Sequence, residues 1–295
     1  RRLPQLVRLR LDYQPPYDGP AMLGFFAMRA ISGLETVDDG VYSRNISLHG
    51  EHGSFSIRAG AGDWLELTLY QVPIALVPDI VARVRRMFDL DVDLLPIHRH
   101  LATDPLLARL LGAYPGVRVP GAWDGLELAI RAVLGQQISV VAAIKLAGKL
   151  VERHGARLES TVPGLSHRFP EAAELAQADL ATLGMPRSRG RTLSGVAQAL
   201  LDNPRIFDPG PDLRASVTPL LALWGVGEWT AQYIALRQMR HADAFPVADV
   251  GLLNALSALE GRPVTAVELL ARAEPWRPYR GYGAQLLWTF LSRAD

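Results

Sequence analysis

The spacing of apolar residues changes once along this 295-residue chain, near residue 91, and that change limits the fold more than any other feature. Segment 6–11 alternates apolar and charged residues, as a strand buried on one face must, because successive side chains point to opposite sides. Segments 41–48, 54–59 and 65–70 carry a similar period, and Gly50, Gly53, Gly60 and Gly62 mark the turns between them. Two helical patterns, 21–31 and 78–90, interrupt the strands. Beyond residue 91 the alternation stops. Helical spacing follows over 105–114, 123–134, 139–154, 187–202, 212–223, 230–239, 250–259, 265–273 and 279–292. Ser139 suits the start of its helix and Gly155 the end. The expected fold is α+β: a small antiparallel sheet with helices over 1–90, then an all-helical part over 91–295.

Several function classes drop out. With no cysteine there is no disulfide, iron–sulfur cluster or thiolate zinc site. No apolar run approaches the roughly 20 residues that cross a bilayer, and no secretory signal opens the chain, so an intracellular protein is expected. The net charge of +1 does not by itself mark a nucleic-acid surface, because charge must be clustered to bind one. Lysine occurs only at 145 and 149; arginine supplies the other basic side chains. A first residue other than Met implies processing, trimming or a longer polypeptide.

The segment Leu220-Leu221-Ala222-Leu223-Trp224-Gly225-Val226-Gly227-Glu228-Trp229-Thr230-Ala231 ends one helix and starts another, with two glycines between. Glycine at both positions allows positive φ and a close backbone approach. The free N–H groups that open the second helix favour an anion, which a DNA phosphate would supply without sequence being read. Taken alone, the same residues also describe a tight helix–helix turn. About twenty residues on, Asp249 precedes the helical stretch 250–259, where its ordinary role is that of N-cap.

Together, Leu-x-Gly-Val-Gly-x-Trp-Thr-Ala and the later Pro-Val-Ala-Asp resemble the helix-hairpin-helix DNA glycosylase superfamily. Within it, the chain is similar to the 3-methyladenine-DNA glycosylase II (AlkA) branch. Asp12 to Asp18, Met22 to Phe25, Phe88 to Leu90, Arg131 to Gln136, Leu183 to Pro186 and Trp276 to Arg280 follow the family's order. The resemblance implies two helical lobes around a cleft, a hairpin lobe of about 118–240 and a second of about 91–117 with 241–295. It implies excision of alkylated purines flipped out of duplex DNA, with Asp249 as the catalytic carboxylate. That carboxylate would stabilise an oxocarbenium-like sugar or act on the attacking water. Trp229, Tyr233 and Tyr279 would form the base pocket, with Trp276 and Tyr282 as weaker candidates. Electron-rich rings attract a cationic alkylated base by about 0.5–2 kcal/mol. Gln136 and Gln137 would fill the gap left by the flipped base. Backbone at Gly225, Val226, Gly227 and Thr230 would hold phosphate; Arg187, Arg189 and Arg191, read from the residues alone, are either further phosphate contacts or solvated surface charges. No cofactor is required; a Na⁺ or K⁺ on the carbonyls of Leu221, Leu223 and Gly225 is implied.

Bifunctional members carry a lysine where this chain has Trp229, so base release without strand cleavage is expected. Against the family pattern, Trp224 replaces a proline, Ala248 an acidic residue, Val250 an aromatic and Gln137 a leucine. The resemblance further implies a monomer at the bacterial nucleoid in the cytoplasm, with an N-terminal alkyl-transfer module possible as a fusion. A glycosylase for oxidised guanine and a non-catalytic lesion-binding module are the rival readings.

Overall fold

The computed structural model describes residues 6–293. Five strands, β1 (Leu6–Asp12), β2 (Glu35–Asp38), β3 (Val41–Leu48), β4 (Glu51–Ala59) and β5 (Trp64–Tyr70), form one antiparallel sheet in the order β1-β5-β4-β3-β2. Register puts Tyr42 opposite Ile57 and Phe55 opposite Leu69, so these side chains share a face. Helices α1 (Gly19–Met28) and α2 (Val77–Met87) close over that face with Met22, Phe26, Ile80, Val84 and Met87. The other face is polar yet buried. Ser43 and Ser56 bond at 2.6 Å, Ser54 donates to Asn45, and Asn45 donates to the His167 carbonyl, so the covering loop is matched by hydrogen bonds. Strand β2 was not foreseen, because four residues of mixed polarity carry too little period to read.

The remainder is helical: α3 (Leu94–Leu101), α4 (Pro105–Ala113), α5 (Gly125–Leu134), α6 (Val140–His154), α7 (Ala172–Ala176), α8 (Arg187–Asp202), α9 (Leu213–Leu221), α10 (Glu228–Arg237), α11 (Val250–Glu260), α12 (Ala266–Ala273) and α13 (Arg280–Arg293). Helices α3 and α7 are additions to the expected set. Helix α5 is apolar on nearly every side because α6, α8 and α10 all pack against it. Ser139 caps α6 as expected. Gly155 ends that helix with φ −77°, so it is there for space: a Cβ would run into the carbonyls of Arg168 and Val151.

Sheet and helices meet across buried charge. Glu127 of α5 takes both Nη atoms of Arg44 on β3, at 3.1 and 2.6 Å. Arg131, one turn on, bonds Glu127 at 2.7 Å and Glu35 at 2.6 Å. Trp123, beyond residue 90, joins the core of the sheet.

Candidate active site

Helix α11 begins at Asp249, whose backbone is extended and whose side chain caps the helix. Oδ1 accepts the Leu252 amide and the Trp288 indole N–H, each at 2.9 Å. Oδ2 accepts the Trp229 indole N–H at 2.9 Å. These three donors fix both oxygens. A carboxylate offers about four lone pairs, so one on Oδ2 is left for another partner. Gly251 makes the arrangement possible: a Cβ there would press on Oδ1 at 3.0 Å and on the Trp288 ring at 3.3 Å.

Asp249 lies on the wall of a cleft of about 1660 Å³ that runs between the sheet domain and the helices. Trp229 and Tyr233, one turn apart on α10, stack with centroids 5.0 Å apart and planes 16° from parallel. Phe25 of α1 and Trp288 of α13 complete an aromatic lining. Behind it sits Arg237, buried, with its guanidinium 4.5 Å from the Phe25 ring, 4.9 Å from Tyr233 and 5.1 Å from Trp288. Burial alone would push the Tyr233 hydroxyl up, but the charges of Arg237 and Arg29 outweigh it, and its pKa falls below the usual tyrosine value.

Trp229, Tyr233 and Asp249 therefore come together as expected. Tyr279 does not join them. Helix α13 starts after it, and the ring points toward α3, edge-on to His100 in a second, smaller hollow. Trp276 is core, its indole N–H held by Asp104, and Tyr282 is buried against Asp89. Two further aromatics of the cleft, Phe25 and Trp288, were not among the expected pocket residues, and helical periodicity marks Trp288 only as one more apolar position.

The turn between α9 and α10 is also divided in its roles. Gly225 has φ +80°, and a Cβ there would collide with Thr192 of α8. Gly227 has φ −98°, not the positive value anticipated, and a Cβ there would meet nothing within 4 Å. No side chain caps α10, which leaves its first amides open. Val226 is not among them, because its N–H donates to the Leu223 carbonyl at 3.1 Å. Thr230 is buried and offers only backbone.

Gln136 is tied down rather than free to insert. Its Nε2 donates to Thr230 Oγ1 at 3.0 Å and to the Gly225 carbonyl at 3.3 Å, and Arg189 donates to its carbonyl. Gln137, exposed and at φ +58°, projects alone from this fastened loop.

The cation donors named from the sequence have suitable chemistry. The carbonyls of Leu223 and Gly225 each accept one hydrogen bond and keep a lone pair, and Leu221 accepts none from beyond its helix among the described residues. Neutral oxygens of this kind suit a hard monovalent cation. Among the described residues no group of three or more His, Asp or Glu side chains is placed to hold a metal ion, and no helix is long and apolar enough to cross a membrane.

Comparison with known proteins agrees with this geometry. Residues 8–124 match the family described as the AlkA N-terminal domain, and residues 130–278 match the HhH-GPD superfamily of base excision DNA repair proteins. A Mycobacterium tuberculosis protein named "Probable bifunctional transcriptional activator/DNA repair enzyme AlkA" is 38% identical over 97% of this chain, which spans 57% of that relative's length. DNA-3-methyladenine glycosylase 2 of Escherichia coli K12 is 33% identical, with 94% of this chain and 95% of that protein covered. Among solved structures, a 3-methyladenine DNA-glycosylase from Archaeoglobus fulgidus superposes with a TM-score of 0.83 at 21% identity, over 96% of this chain and 97% of that one.

Proposed function

Because this chain belongs to the HhH-GPD superfamily of base excision DNA repair proteins, we propose that it flips alkylated purines out of duplex DNA and hydrolyses their N-glycosidic bonds. The observation that carries this reading is Asp249, held by two indoles and one amide on the wall of an aromatic cleft. A base such as 3-methyladenine or 7-methylguanine would enter between Trp229, Tyr233, Phe25 and Trp288. Its positive charge makes it a good leaving group, so little protonation is required. As the C1′–N bond breaks, the electron pair leaves with the base and positive charge grows on the sugar. The carboxylate of Asp249 faces that charge. Water adds to C1′ and gives up a proton, directly or through the remaining lone pair of Oδ2, leaving an abasic sugar and a free base.

Several finer features accompany the proposal. Gln137 fills the vacated stack and pairs with the orphaned base, while the open amides of α10 hold a phosphate. A Na⁺ or K⁺ on the carbonyls of Leu221, Leu223 and Gly225 would add positive charge at the turn beside the phosphate. No strand cleavage by an amine is expected, since residue 229 is Trp and neither Lys145 nor Lys149 lines the cleft. The enzyme would act as a monomer in the cytoplasm, at the nucleoid. This chain spans 57% of the length of the mycobacterial relative, and the proposed N-terminal fusion partner is tested by the coding sequence upstream. A lesion-binding module without chemistry would leave the three-donor hold on Asp249 without a purpose.

The test is release of free bases from methylated duplex DNA by wild type and Asp249→Asn. Wild type should release methylated purines and leave strands intact until alkali is added. The variant should lose about 10²–10³-fold in rate, the usual cost of losing one group aimed at developing charge, while still binding DNA. No release by a wild type that still binds DNA would overturn the reading.

A further inference from the structure

The turn that carries the open amides also carries an exposed indole with a cation lying on it. Trp224 is 50% exposed, and the guanidinium carbon of Arg191 sits 4.0 Å from its ring centroid. Gly225 packs directly on Thr192, the neighbour of Arg191, so turn and helix α8 touch at this point. Arg168 and Arg205 each pair with a carboxylate, but Arg187, Arg189 and Arg191 pair with none among the described residues. All three lie in the first two turns of α8, which has no acid in its first turn and no capping side chain. Cations at a helix N-terminus oppose the helix dipole, so their clustering there calls for an anion from outside. Arg189 is spent on the Gln136 carbonyl. Arg191 is not. With its central carbon 4.0 Å from the ring centroid and no carboxylate partner among the described residues, the Arg191 guanidinium is held beside the turn with N–H groups that can fork onto two phosphate oxygens.

We propose that Arg191 binds a backbone phosphate of the DNA strand that crosses the α9–α10 turn, and that Trp224 is its positioning residue. The inference rests on the reading of the cleft as a duplex-DNA site. It adds a contact that depends on the tryptophan standing where the family pattern has proline. The main effect of the stack is to hold a long side chain in one direction before DNA arrives, which lowers the ordering cost of binding.

Equilibrium binding of the full chain to duplex DNA carrying an abasic-site analogue, across a salt series, tests it. Arg191→Ala should weaken binding about 5–10-fold near 0.1 M salt and reduce the slope of log K against log salt by about 0.9, the value of one phosphate contact. Trp224→Ala should reduce the slope in the same direction although it removes no charge. The double variant should bind no worse than Arg191→Ala, and Trp224→Phe should restore the wild-type slope. An unchanged slope in Arg191→Ala, or losses that add in the double variant, would overturn the proposal while a wild type that binds and excises leaves the enzymatic reading intact. A wild type that does not bind duplex DNA overturns both.

Discussion

At Asp249 the two oxygens that cap a helix and accept two indoles are also the ones proposed to face the reacting sugar. Asn caps a helix about as well as Asp, so the Asp249→Asn variant should fold normally. Its amide, however, turns a donor toward one of the two indole N–H groups that now find an acceptor. Trp288→Phe separates the two functions of that residue, keeping a ring in the cleft while removing the N–H from Oδ1. We expect kcat/KM for methylated DNA to fall about 10-fold, in line with a net hydrogen bond of about 1–1.5 kcal/mol, with the melting temperature nearly unchanged. Single-turnover base release together with a thermal melt checks both. Asp249 and Trp229 were legible because each sits in a recognisable local pattern. Trp288 was not: it is 39 positions from Asp249 and surrounded by other apolar residues. Only the crossing of α11 and α13 brings it to the carboxylate. Tyr279 was misplaced for the converse reason, since an aromatic beside a helix start gives no sign of which way that start will face.

The two glycines of the α9–α10 turn look alike in sequence and differ in structure. Gly225→Ala puts a side chain at φ +80° and against Thr192, and should cost about 1–3 kcal/mol of stability. Gly227→Ala meets no strain and no neighbour, so its stability cost should stay at or below about 1 kcal/mol, the value of a poorer N-cap. The new Cβ would instead stand in the open space before the α10 amides, where a phosphate must approach, and should weaken duplex binding at least 10-fold. A thermal melt paired with a binding isotherm separates the two; a Gly227→Ala variant that binds like wild type would argue against phosphate at this turn. Helix existence and type were largely readable, because long periodic segments such as α6 and α8 announce themselves. Short elements such as β2 and α7 were not, since they exist through contacts with distant neighbours rather than through their own pattern.

Across the whole molecule, buried Glu35, Arg44 and Glu127 together with the partly buried Arg131 fasten the sheet to the helical part. Only Glu127–Arg131, four positions apart on one helix, is local; the pairings that cross to the sheet were not visible in sequence, where Arg44 and Glu127 stand 83 positions apart. Burial alone would raise the pKa of Glu127, but Arg44 and Arg131 outweigh it and bring it down to about 2. A depressed carboxylate contributes stability that is complete above its ordinary value and disappears as pH falls through the folded one. Thermal stability should therefore decline as pH drops below about 4.5 toward 2, as calorimetry would show. Glu127→Gln should cost about 3–5 kcal/mol at neutral pH, because it leaves buried guanidinium charge uncompensated, and should lower the melting temperature by something on the order of 10 °C. The same fastening decides who owns the cleft. Phe25 of α1 and Arg29 just after it reach it from the sheet domain, whereas Asp249 reaches it from the cap of α11 and Trp288 from α13. The wall of the cleft is thus assembled from two distant stretches of the chain, one near residue 25 and one from Trp229 to Trp288. A substitution at Phe25 or Arg29 would therefore change the lining of the cleft without touching the three donors that hold Asp249.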